Sequence, residues 1–148
     1  MDRMAMPPEE MSGGGVTIRL GEYVEPQAPT HVPILSYKID IAGRAVGEVR
    51  LRLGDSDDLK RYFGQIGYEV YPAFRGRGHV TAACRLALNV MRELGYEEVW
   101  ITCNPENFAS RRVCEKIGGA HVDTVDIPVG HVMHEHGILQ KCRYRVVL

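Results

Sequence analysis

The chain has 148 residues, 45% of them apolar and 25% charged, and its formal net charge is -1 at pH 7. That size and balance suit one ordinary globular domain with a real core, and basic residues spread along the chain leave no electrostatic footprint for nucleic acid or an anionic membrane. No apolar run approaches the roughly 20 residues that span a bilayer, and the start "MDRMAMPPEEMSGGG" lacks the apolar centre of a secretory signal, so the expected location is cytoplasmic.

Residues 1–15 combine proline, glycine and acidic residues without periodicity, and are expected to form a flexible tail before a single domain spanning 16–148. Val16 to Leu20 is a short β-like run, and the prolines of "GEYVEPQAPTHVP" exclude a long helix after it. In "LSYKIDI" the residues Leu35, Tyr37, Ile39 and Ile41 alternate with polar ones; in "AVGEVRLRL" Val49, Leu51 and Leu53 alternate with Glu48, Arg50 and Arg52. These are two strands of a hairpin. For Ile39 and Ile41 to share a face with Val49 and Leu51, an odd number of residues must separate paired positions. Ala42-Gly43-Arg44 should therefore form a three-residue loop or contain a bulge.

"QIGYEVYP" reads as the next strand, ending at Pro72. From His79 to Leu94 the residues Val80, Ala83, Ala87, Met91 and Leu94 recur at helical spacing, and Gly95 stops the helix. "EEVWITC" is a strand, and "NPENFASRRVCEKIGG" a second helix with Asn107 as N-cap. Strands at "HVDTVDI" and "CRYRVVL" close the chain. Neither a regular βαβ alternation nor an all-antiparallel meander fits this order; a mixed α/β sheet with helices packed on it does. Cys84, Cys103, Cys114 and Cys142 have no C-x-x-C spacing, so they read as small buried side chains rather than a zinc site or disulfides.

The chemical signal is "YPAFRGRGHVT", where two glycines lie between a strand and a helix beside two arginines. A P-loop needs a lysine that is absent here, and a dinucleotide turn needs a third glycine that is absent too. Glycines at Gly76 and Gly78 let backbone N–H groups converge on a phosphate, and the start of the helix at His79 adds its positive dipole end. Arg75 and Arg77 supplement it, and the Thr81 hydroxyl lies in the first turn.

Arg75-Gly76-Arg77-Gly78-His79-Val80 resembles the pyrophosphate loop [QR]-x-x-G-x-[GA] of the GNAT superfamily of N-acetyltransferases, departing at Val80, and "NPENFASRRVCEKIGG" is similar to its second motif. The resemblance covers roughly residues 34 to 148 and is closest to the branch of ribosomal-protein N-terminal acetyltransferases. It implies a mostly antiparallel sheet whose fourth and fifth strands splay, with acetyl-CoA as co-substrate between them. The arm of acetyl-CoA would pair with backbone groups of Tyr68, Glu69 and Val70, and its pyrophosphate would meet residues 75 to 81. Asn107 corresponds to the asparagine that contacts the cofactor.

The implied reaction is direct attack of a primary amine, a protein N-terminus or a small molecule, on the thioester. Cys114 stands where many relatives carry a tyrosine acid, and Thr102 where some carry a glutamate base. Glu69 is the nearest remaining carboxylate by sequence position, with His121 and a water relay as other options. Relatives wall the acceptor site with two helices after the first strand; this chain has only "GEYVEPQAPTHVP" there, so the pocket is expected to be open or completed by a second copy in a homodimer. The histidines of the loop His131-Val132-Met133-His134-Glu135-His136 are expected to be solvated, without a metal; the resemblance places this loop near the acceptor pocket, which its histidines would then shape. The alternative from another class is a non-catalytic CoA-binding regulatory module.

Overall fold

The computed structural model of the chain describes residues 6–148. The first five residues of the expected tail lie outside the described residues, and the later part is not a tail. Glu10–Gly13 forms strand β1, paired antiparallel with β2, Val16–Val24. Gly14 and Gly15, with φ of 60° and 82°, supply the two positive angles of a tight hairpin turn. The Arg19 guanidinium pairs with Glu10, and the Tyr37 hydroxyl donates to the Pro8 carbonyl at 2.7 Å. Composition marked this segment as polar; the Gly-Gly turn and the free edge of β2 nevertheless give its backbone partners.

Strand β2 runs past Leu20 through a bulge and pairs with β3, Ile34–Ile41, which pairs with β4, Arg44–Arg52. The β3–β4 hairpin resolves the parity question in favour of the bulge. Ile41 lies opposite Arg44, so the turn is only Ala42-Gly43, and a register shift after Ile39 restores the pairing of Tyr37 with Val49 and Leu35 with Leu51. Strand β5, Ile66–Val70, completes a five-stranded antiparallel sheet. A second sheet has the order β6-β8-β7, from Glu98–Cys103, Gln140–Val147 and Ala120–Asp126.

Helix α1, His79–Glu93, packs on the first sheet against β2, β4 and β5. Its face is Ala83, Ala87, Val90 and Met91, all fully buried with Tyr37, Ile39, Val49 and Leu51. Helix α2, Phe108–Lys116, is capped as expected: Asn107 Oδ1 accepts from the Ser110 N–H at 3.1 Å. A short α3 spans Val132–Glu135. All four cysteines are free and buried.

No ladder joins β5 to β6, so the expected splay takes the form of two separate sheets. Gln65, just before β5, bridges them. The Gln65 N–H donates to the Trp100 carbonyl at 2.7 Å, its Oε1 accepts from the Trp100 N–H at 2.7 Å, and its Nε2 donates to the Gly54 carbonyl at 2.7 Å. Just before it, a π-helical turn at Leu59–Phe63 is held by Thr102, whose hydroxyl donates to the Tyr62 carbonyl at 2.7 Å. Arg52 donates to the Phe63 and Gly64 carbonyls at 3.1 and 3.2 Å. Thr102, at the position of a glutamate base in some relatives, thus works here as a structural tie.

Candidate active site

Two cavities bear on the candidate site. The first lies beside the glycine turn. Gly76 and Gly78 have φ of 78° and 77°, and a Cβ at either would meet nothing within 4 Å. Backbone angle, not crowding, is therefore what demands glycine there. Gly78 is the N-cap of α1, and no side chain caps the helix, so the first-turn N–H groups at His79, Val80 and Thr81 remain available to an anion, with the helix dipole behind them.

Arg77 and His79 line a cavity of about 410 Å³ together with Arg44 and Phe74. The Arg44 guanidinium sits 5.9 Å from the centre of the Phe74 ring. Arg75 takes another role: its Nε donates to the Val70 carbonyl at 3.0 Å, tying the turn to the end of β5. That bond occupies the Val70 oxygen expected to face the ligand arm. β5 pairs with β4 on one side only, which leaves its other edge open beside Tyr68 and Glu69.

The second cavity, about 280 Å³, lies in the split between the sheets. Arg50 and Arg52 from β4, Tyr68 from β5, Cys103 from β6 and Lys141 from β8 line it, and none of its lining residues is an aspartate or glutamate. Neither residue expected to do acid–base chemistry is among them. Glu69 is exposed and lies opposite Glu48 in the β4–β5 ladder. Cys114 is fully buried in the core beneath the cleft. The reason is alternation: Tyr68 faces inward opposite Val49, so its neighbour Glu69 cannot. His121 is exposed on β7, next to Tyr144 and away from the cleft lining.

Cys103 replaces Cys114 at the wall. A hydrogen bond with Cys114, stronger here than the opposing effect of burial, holds the Cys103 thiol below its usual range, while the same bond and burial push Cys114 up. The Tyr68 hydroxyl bonds to Ser110 Oγ on α2, and burial raises it well above an ordinary phenol. Burial, helped by Arg50, lowers Arg52 to about 10, and burial lowers Lys141. Gly67 makes room for the Arg52 guanidinium, since a Cβ there would lie 2.9 Å from Nη2.

From the histidine loop it is Met133 that reaches the cleft. The His131 ring accepts from the Met133 N–H at 3.1 Å through Nδ1 and meets Asp58 at 2.8 Å through Nε2; His136 Nδ1 donates to the Val132 carbonyl at 2.8 Å. Among the described residues no group of three potential ligands converges for a metal. Sequence reading had passed over Arg44, Arg50, Arg52, Cys103 and Lys141. Arg50 and Arg52 did carry a signal, as the polar positions of an alternating strand, but nothing local says that this face meets a second sheet instead of water.

A split sheet with an uncapped glycine turn at the start of helix α1 defines the α/β fold. The family model "Acetyltransferase (GNAT) domain" matches residues 20–120, and the chain belongs to that family. The chain is 29% identical over 87 residues to the uncharacterized N-acetyltransferase YnaD of Bacillus subtilis (strain 168), a match covering 55% of this chain and 43% of that protein. In fold it is similar to the microcin C7 self-immunity acetyltransferase MccE in complex with acetyl-CoA and AMP, at TM-score 0.60 and 20% identity over 78% of this chain and 61% of that one. It is also similar to Mycobacterium smegmatis RimJ in complex with CoA-disulfide, at TM-score 0.65 and 16% identity over 89% and 81%. The chain thus spans under two thirds of the length of the first two of these relatives. No described helix is long and apolar enough to cross a membrane.

Proposed function

We propose that the chain is an acetyl-CoA-dependent N-acetyltransferase acting on a primary amine, with strand β1 and residues 16–148 together as one catalytic domain. The observation that carries this is the uncapped, left-handed turn at Gly76 and Gly78, which opens α1 beside the split between β5 and β6. The turn, Arg77, His79 and Arg44 bind the pyrophosphate end of acetyl-CoA, and the open edge of β5 at Tyr68 and Glu69 guides its arm into the cleft.

In the cleft, the neutral amine attacks the thioester carbonyl, the C–N bond forms, and the amine proton passes to the Cys103 thiolate. Collapse of the oxyanion breaks the C–S bond, and the departing CoA thiolate takes that proton back. A thiol held low matches both transfers. The Tyr68 phenol, held far above neutrality, donates a hydrogen bond to developing charge but does not surrender its proton. Cytoplasmic location and a homodimer that completes the open pocket belong to the same proposal.

A non-catalytic CoA-binding module is the second reading, favoured by the absence of any carboxylate from the cleft lining. Acetyl-CoA turnover against amines, peptides and polyamines separates the two. Acetylation of any acceptor supports the enzyme; CoA binding without transfer or slow hydrolysis supports the module, and failure to bind CoA refutes both.

A further inference from the structure

Three cations and no carboxylate line the cleft between the sheets. Taking charge out of water without a partner is costly, so each cation calls for an account of what balances it. Arg50 has one: its Nη1 lies 2.6 Å from Glu48. Arg52 spends Nη1 on the Phe63 and Gly64 carbonyls, which orients the side chain but leaves Nε and Nη2 without a hydrogen bond among the described residues. Lys141 makes no hydrogen bond or ion pair among the described residues, although it is buried enough for desolvation to lower its pKa. The negative charges whose field it feels are the Cys103 thiolate first and Glu106 second; neither makes a hydrogen bond or ion pair with it, and Glu106 is exposed.

Further features show that the arrangement is built. Gly67 leaves the space in which the Arg52 guanidinium lies across β5. Lys141 comes from the other sheet, so the two cations approach the split from opposite walls. Asn104 lines the same cleft and its Oδ1 is buried with no hydrogen-bond partner, an orphan acceptor that calls for an N–H donor such as the amine end of a ligand, not for its anion.

We infer that the acceptor amine carries an anionic group, a carboxylate or a phosphate, and that Lys141 and Arg52 bind it in the cleft between β5 and β6. This rests on the acetyltransferase reading. The glycine turn and the cleft lie on separate stretches of lining, with no residue in common, so the phosphates of CoA and the anion of the acceptor occupy different places. An ammonium and a guanidinium that line one cleft from opposite sheets give a compact anion two cationic partners. The amine of the same molecule can then point toward Cys103 and the thioester.

The test uses the full chain, acetyl-CoA and matched amine pairs. β-Alanine, γ-aminobutyrate and aminoethyl phosphate are compared with β-alaninamide, γ-aminobutyramide and ethanolamine, and tetrapeptides with an acidic second residue are compared with their amide counterparts. In each set kcat/KM for the anionic member should exceed that of its neutral partner by about tenfold or more, the scale of one charge-assisted hydrogen bond. The carboxylate, phosphate and peptide arms identify the source of the anion. Lys141→Met should bring the ratio close to one and Lys141→Arg should restore it; CoA affinity, read in parallel, reports that each variant is folded. Equal rates within every pair, or a ratio that survives Lys141→Met, overturn the inference while leaving the acetyltransferase standing. A fall in rate for charged and neutral amines alike would place Lys141 at the developing oxyanion and overturn it too. Absence of transfer to every amine refutes the underlying activity instead.

Discussion

Gln65 hydrogen-bonds across the split between the two sheets, and Gln65→Met isolates what that bridge contributes. The side chain is 2% exposed, and methionine is close to it in length and flexibility, so the cavity contribution is small. What disappears is the pair of bonds at 2.7 Å, to the Trp100 N–H and the Gly54 carbonyl. Each leaves a backbone group unpaired at a cost of about 1–3 kcal/mol, although Gly54 is only half-buried and can recover part of its share from water. The sum is about 2–4 kcal/mol, a large fraction of the roughly 5–15 kcal/mol by which a domain is stable. For a chain of this size that lowers Tm by about 5–15 °C. Urea and thermal unfolding measure it directly, and KM for acetyl-CoA should rise as the split loosens. A loss under about 1 kcal/mol would refute the view that Gln65 holds the sheets together.

Gly78→Asp places a carboxylate against the pyrophosphate site at a residue with φ of 77°; CoA affinity measured by calorimetry should fall at least about tenfold, and unchanged affinity rules out the turn as the cradle. Cys103 held low by Cys114 predicts that kcat/KM rises with pH as the thiolate forms. Cys114→Ala should move that limb to higher pH, because the hydrogen bond that stabilises the thiolate is gone, whereas Cys103→Ala should remove the limb; loss of activity at every pH in Cys114→Ala would return the acid role to that residue. Lys141 is also a stability statement. Its folded-state pKa lies below the unfolded value, so the folded chain binds that proton less tightly. The resulting penalty is fully present below the folded pKa and disappears as pH rises through the unfolded one. Lys141→Met should therefore raise Tm at neutral pH, and a lower Tm would show that the ammonium has a partner.

Much of this protein could be read locally. The alternation of Leu35, Tyr37, Ile39, Val49 and Leu51 specifies a β-hairpin with one buried face, and a parity argument on the same residues required the irregularity that the β3–β4 bulge supplies. The spacing of Val80, Ala83, Ala87 and Met91 specifies α1, and Asn107 specifies the start of α2. The glycine turn was legible for the same reason: a left-handed backbone next to a helix start is a constraint on single residues, which the chain states at Gly76 and Gly78.

The cleft was not legible, because its residues are assembled across four strands. Whether the polar face of a strand meets water or another sheet depends on what packs over it, and the pattern of Glu48, Arg50 and Arg52 is the same in both cases. The sequence alone therefore placed Glu69 and Cys114 in catalysis on adjacency to motifs. The pleat of β5 turns Glu69 outward, the depth of α2 buries Cys114, and the pairing of β6 with β8 brings Cys103 and Lys141 to the split. The sequence by itself determined the main strands, helices α1 and α2 and the left-handed glycine turn, which depend on periodicity and on single backbone angles. Only the tertiary structure decided which side chains line the cleft, because charge, burial and hydrogen bonding there arise between residues far apart in the chain.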